Sequence, residues 1–173
     1  MPIPETYKAF RRTTGDLPRT IVPSTEPMVQ ELAPHDVLLK IHAVSLNFRD
    51  VGMLNGRYPV DVIERGIPCS DAAAEVAAIG SAVKDFAIGD HVSVNFDLGH
   101  LYAVFEDKEL VQLPKHLSWE EASTIACAGV TAWTALDNLK APNPRSALLQ
   151  GTGGVSLFAL LICLAAGIKP IIT

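Results

Sequence analysis

The sequence predicts a small β domain of short strands, barrel-like in build, followed by the first βαβ unit of an α/β domain. Three observations carry that expectation. Strand-like runs separated by glycine turns fill the first two thirds of the chain. The hydrophobic pattern then changes to a helical period behind Ser118. Finally an apolar run, the turn GTGGVS, an apolar helix and a second apolar run follow one another up to Thr173.

Taken in order, the residues before His35 carry several prolines and polar breaks, which suit short strands joined by turns. Asp36 to Ser45 alternates, with Val37, Leu39, Ile41 and Ala43 on one side and Lys40 and His42 on the other, a strand with one buried face. NFRDVGMLNGRYP reads as a loop-rich stretch. Ala73 to Ile79 and His91 to Asn95 read as further strands, with Gly80 and Gly89-Asp90 as turns. Ser118 and Glu121 form an S-x-x-E capping box ahead of a helical segment, EEASTIACAGVTAWTALDNL, divided around Gly129 and ended by Asn138, Pro142 and Pro144. Strand Ala147 to Gln150 and a helix from Val155 to Ala166 then flank the glycine turn. The domain boundary is expected near Pro114, giving a β domain over 1–114 and, over 115–173, a linking helix with the first βαβ unit.

Composition narrows the function. Hydrophobic residues make up 49% and charged residues 19% of the 173, a globular balance. A net charge of −5 without a basic block argues against nucleic acid. Three cysteines (Cys69, Cys127, Cys163), an odd count without CxxC spacing, argue against a disulfide framework and point to a reducing, cytoplasmic setting. MPIPETYKAFRR lacks the apolar stretch of a signal peptide. Ser146 to Ile168 holds no charge and is long enough to span a bilayer, but its glycines break it into strand, turn and helix, so no membrane is expected.

Gly151, Thr152, Gly153, Gly154 and Val155 sit where a dinucleotide pyrophosphate meets a helix N-terminus. Glycines permit the tight turn and the close backbone approach, and the unpaired N–H groups attract the phosphates. An ordinary turn is the plainer reading. Ser156 stands where GxGxxG has its third glycine. The residue that reads the ribose 2′ position lies about 20 residues after the first glycine, at or beyond Thr173, which leaves NAD against NADP open.

DVLLKIHAVSLNFRD, NGRYP, IPCSDAAAEVAAIGSAVKDFAIGDHV, LVQLPKHLSWEEASTIACAGVTAW and ALLQGTGGVSLFALLICLAAG together resemble the medium-chain dehydrogenase/reductase superfamily, especially its quinone oxidoreductase and enoyl reductase branches. The resemblance implies a GroES-like catalytic domain followed by a Rossmann domain. It implies hydride transfer from a nicotinamide, usually NADPH, to a carbonyl, quinone or activated double bond of a small molecule. It also implies a homo-oligomer whose interface lies largely in later residues. The positions that match the catalytic zinc ligands of zinc-dependent relatives hold Asn47, Ser70 and Cys127, a set too poor in thiolate and imidazole for zinc. Asn47 and Tyr58 match pocket positions and are the candidate catalytic residues; capping by the Asn47 amide and loop packing by Tyr58 are the structural alternatives. Thr131 matches a position near the nicotinamide and reads equally as a helix residue bonded to its own turn. Arg49 and Asp50 are expected to pair and brace the loop, Asp71 and Glu75 to be structural, Cys127 to be a buried thiol, and His35, His42, His91, His100 and His116 to be surface or strand residues.

Three departures from the family pattern carry expectations. Ala74 stands where glycine is usual and would be strained by about 1 kcal/mol at positive φ. The connection after GDHVSVNFDLGHL is shorter than in relatives, which bears on substrate access and strand register. The sequence supplies two strands of a Rossmann sheet that has about six, so the apolar helix LFALLICLAA is expected to leave an apolar patch exposed. Besides the oxidoreductase, two other readings stand: an inactive remnant, and a binding module that uses this helix.

Overall fold

The computed structural model describes residues 3–94, 102–140 and 145–173. The chain divides into two compact units, Met1–Ser123 and Thr124–Thr173. The first opens with an antiparallel hairpin, β1 (Thr6–Arg12) and β2 (Ile21–Pro27), in register from Thr6↔Pro27 to Arg12↔Ile21. Arg11 Nε donates to Glu26 Oε1 at 2.7 Å across it. That bond and a second from the Ser24 hydroxyl hold the Glu26 carboxyl down at about 2.

Five strands then form one curled antiparallel sheet. They are β3 (Asp36–Ser45), β4 (Asp71–Ile79), β5 (His91–Val94), β6 (Tyr102–Glu106) and β7 (Leu110–Gln112), in the order β6-β3-β4-β5-β7. Val37, Leu39, Val76, Val92, Val94, Ala103, Phe105 and Leu110 build the core on one face of this sheet. Burying each valine or leucine stabilises the fold by about 1.5–3 kcal/mol. The alternation expected in β3 is only half of the picture, because Leu38 on the opposite side is 2% exposed. Helix α2 (Trp119–Ser123) packs on β3 and β4. Register shifts between Leu38 and Leu39 and between Ile41 and Ala43 bend β3 as bulges do.

Ala74 is ordinary strand backbone, paired with Ile41 and Val92, absent from the positive-φ residues and fully buried. The conditional strain does not arise, and its methyl fills core space. Gly80 has a stronger requirement, since a Cβ there would lie 2.1 Å from the Ala33 carbonyl oxygen.

The capping box ahead of α2 forms as expected: Ser118 N–H donates to Glu121 Oε2 at 2.9 Å, and Glu121 N–H to Ser118 Oγ at 3.2 Å. Trp119 is sandwiched between two imidazoles, His42 at 4.2 Å and 7° and His91 at 4.0 Å and 36°. Those histidines are strand residues, and they clasp α2 to the sheet. Helix α2 belongs to the first compact unit, which ends at Ser123.

In the second unit the helical segment is broken more than expected. A π-turn, Ile125–Gly129, leads into α3 (Val130–Ala135), and Asp137 and Leu139 take positive φ in the short helical turn that follows. Cys127 in the π-turn is half-buried rather than core; Cys163 is the fully buried thiol. β8 (Ser146–Leu149) and β9 (Lys169–Ile172) pair in parallel around α4 (Gly154–Ala165). Ala132, Leu149 and Ala159 form the unit's core with Phe158 and Ile162. The shortened connection of the sequence reading, residues 95–101 with His100, lies outside the described residues, as do Pro142 and Pro144.

Candidate active site

The stretch read as a loop contains a helix, α1 (Phe48–Leu54), with Asn47 as its N-cap. Asp50 explains the helix: its Oδ2 accepts from the Asn47 N–H at 2.9 Å, while its Oδ1 accepts from the Cys69 N–H at 2.7 Å. Asp50 thus ties the start of α1 to the segment entering β4, and it is 6% exposed. The expected Arg49–Asp50 brace gives way to these backbone bonds. The signal was present as N-x-x-D, the N-cap spacing with a carboxylate at the third helical position.

The Asn47 side chain is held as firmly as its backbone. Its Nδ2 donates to Asp71 Oδ2, and Asp71 is 1% exposed at the start of β4. The amide carries a second N–H besides the one given to Asp71, which can donate to a ligand oxygen. Beside it, burial, then Asp50 and Asp71, push the Cys69 thiol up to about 11. Ser70 Oγ is buried without a hydrogen-bond partner among the described residues. Among those residues no group of three His, Cys, Asp or Glu side chains is arranged to hold a metal ion.

Tyr58 lies beyond the other end of α1. A Cβ on Gly52 would sit 3.9 Å from Tyr58 Cδ2, so the ring packs on the helix where a side chain is missing. Arg49, three residues before Gly52 and on the same face of α1, donates from Nε to the Tyr58 hydroxyl oxygen at 3.1 Å. Its Cζ lies 5.2 Å from the ring centroid. Arg49 carries no motif of its own in the sequence, and the structure joins it directly to a candidate residue.

The remaining candidates belong to the second unit. Gly151 takes φ +72°, and Gly151 to Val155 are exposed at the N-terminus of the twelve-residue α4. Gly153 has φ −74° as N-cap, with open space where a Cβ would project. Gly154 packs close, its built Cβ 3.5 Å from that of Ala128. Ser156 resolves the missing third glycine: its Oγ donates to the Gln150 carbonyl at 2.8 Å and ties the helix start to the end of β8. Thr131 is exposed on α3. The exposed backbone, the left-handed glycine and the helix N-terminus fit a dinucleotide pyrophosphate.

The model of the alcohol dehydrogenase GroES-like domain matches residues 33–134, the curled sheet with α1 and the helical segment behind it. The chain belongs to the medium-chain dehydrogenase/reductase superfamily. A zinc-type alcohol dehydrogenase-like protein of Schizosaccharomyces pombe is 36% identical, over 87% of this chain and 51% of its own. A quinone oxidoreductase of Pseudomonas aeruginosa is 32% identical, over 82% of this chain and 45% of its own. The chain therefore spans about half the length of the curated relatives it matches. Among solved structures, a candidate alcohol dehydrogenase from Sinorhizobium meliloti superposes with a TM-score of 0.86 at 30% identity, covering 98% of this chain and 57% of its own. The Escherichia coli quinone oxidoreductase complexed with NADPH shares the fold, with a TM-score of 0.79 at 23% identity, covering 96% and 52%. The expected GroES-like fold is thereby established for this chain of the superfamily.

Proposed function

We propose that this chain serves a zinc-independent NAD(P)H oxidoreductase that reduces a carbonyl, quinone or activated C=C bond of a small molecule. The observation that carries the reading is the exposed turn Gly151–Val155 at the N-terminus of α4, inside a parallel βαβ unit. A nicotinamide dinucleotide bound there would supply the hydride. The first N–H groups of α4 lack partners inside the helix and receive its pyrophosphate. Thr131, exposed in the same unit, matches a family position near the nicotinamide and is assigned a contact with it. Asn47, held by Asp50 and Asp71, orients the reacting molecule. The Tyr58 hydroxyl donates a hydrogen bond to the substrate oxygen on which charge develops. Zinc independence draws on the weak donor set Asn47, Ser70 and Cys127, and on the engagement of Asn47 with Asp71.

The test uses NADPH deuterated at the transferring position, with cyclohexenone as acceptor, whose β-carbon keeps the label as C–D, and with a metal chelator present. Deuterium in the reduced product, at a rate the chelator leaves unchanged, is the expected result. Loss of the rate on chelation would remove the zinc-independent part, and absence of transfer would remove the enzymatic reading. A binding module is favoured by one observation, the exposure of Leu157, Leu161 and Leu164 on α4, and it predicts no nucleotide binding.

A further inference from the structure

We propose that Arg49 is a positioning residue that makes the Tyr58 hydroxyl a directed hydrogen-bond donor, an inference that rests on the reading of Tyr58 as a substrate contact. The geometry fixes the direction of the bond. Arg49 Nε–H points at the Tyr58 oxygen at 3.1 Å, and arginine has no acceptor. The phenol oxygen therefore accepts from Arg49, and its own proton is left for another acceptor. Hydrogen bonds in such a chain polarise one another, so a hydroxyl that accepts from a cation donates more strongly.

The surroundings hold both partners in place. The Tyr58 ring rests against Gly52, and Arg49 projects from the same face of α1 one turn earlier. The guanidinium lies 5.2 Å from the ring centroid, which adds a cation–π contact to the hydrogen bond. As charge grows on a substrate oxygen, electron density on the phenol oxygen grows with it, and the fixed positive charge of Arg49 opposes that cost. No proton leaves Tyr58 in this scheme; the hydroxyl acts as a donor throughout. Among the described residues Asn47 donates to a carboxylate and has no cation bonded to it in this way, so its part is orientation. The division of labour assigns orientation to Asn47 and charge stabilisation to the Arg49–Tyr58 pair.

The experiment is a double-mutant cycle on the full chain, with Arg49→Met, Tyr58→Phe and both together, plus Arg49→Lys. In the deuteride-transfer assay, Tyr58→Phe is expected to lower kcat about 100-fold with KM nearly unchanged. Arg49→Met lowers it about tenfold or more. In the Tyr58→Phe background Arg49→Met adds no further loss, and Arg49→Lys recovers only part, because an ammonium lacks the fixed fork. A second readout needs no nucleotide: the carbonyl stretch of isotopically labelled cyclohexanone at saturating concentration. It should move to lower frequency on the wild-type chain, less on Arg49→Met and not on Tyr58→Phe. Additive losses in kcat, or an equal stretch on wild type and Arg49→Met, would overturn the pairing while leaving the oxidoreductase reading intact. A shifted stretch without deuteride transfer would keep the pairing and remove that reading.

Discussion

Two buried carboxylates, Asp50 and Asp71, organise the residues around Asn47, and their influence reaches Cys69. That cysteine has φ +76°, lends its N–H to Asp50 and keeps its thiol at about 11 because of burial first and the two carboxylates second. The thiol stays protonated through neutral and mildly alkaline pH, and only the thiolate is a nucleophile. Cys69 in the native chain is therefore expected to resist iodoacetamide at pH 8, with alkylation rising only as pH approaches about 11. Peptide mapping after timed alkylation checks this, and rapid modification of native Cys69 at pH 8 would contradict it. At this scale the sequence was partly legible. Asn47 and Tyr58 stand out by motif as candidates, but Arg49 and Asp71 bond to partners 9 and 24 residues away, and no local pattern announces such pairs.

Among the elements, β3, β4, β5 and the βαβ unit are legible because short runs of apolar residues are bounded by glycine turns, although β3, β4 and β5 bury consecutive residues rather than alternate ones. Helix α1 is not legible in the sequence, for a physical reason. Its seven residues include Gly52 and two polar ones, too short for a periodic signal, and it rests on Asp50 and tertiary packing rather than on helix propensity. The break-up of the segment after Trp119 is only partly legible, because a π-turn leaves no signature in apolar spacing. The α4 N-terminus supports a prediction about Ser156. Restoring the family glycine there would remove the bond to the Gln150 carbonyl and add backbone freedom to the unfolded chain. Ser156→Gly is expected to destabilise the chain by about 1–2 kcal/mol in urea unfolding. A gain in stability would show that the hydroxyl carries no weight.

For the whole chain, each unit has its own core, and the second leaves much apolar surface bare. On α4 Leu161 is 63% exposed and Leu164 60%, as the uniformly apolar helix leads one to expect, and Leu148 on β8 is 64% exposed. The overall division into a β domain and a βαβ unit was legible in the change of hydrophobic period. The stacking of Trp119 between His42 and His91, two strands apart, has no local signal in the sequence. The central claim is that Gly151–Val155 receives a nicotinamide dinucleotide, and titration of the chain with NADPH tests it most directly. Fluorescence of Trp119 and Trp133 would follow binding, with Gly153→Asp as the paired variant. Gly153 has φ −74° and open space at its Cβ position, so aspartate fits there as an N-cap and should preserve or slightly raise stability. Its carboxylate would meet the pyrophosphate with like charge. Saturable binding to the wild-type chain, abolished in an equally stable Gly153→Asp chain, is the predicted result. No binding by folded wild type, or equal binding by both, would contradict the assignment of this turn.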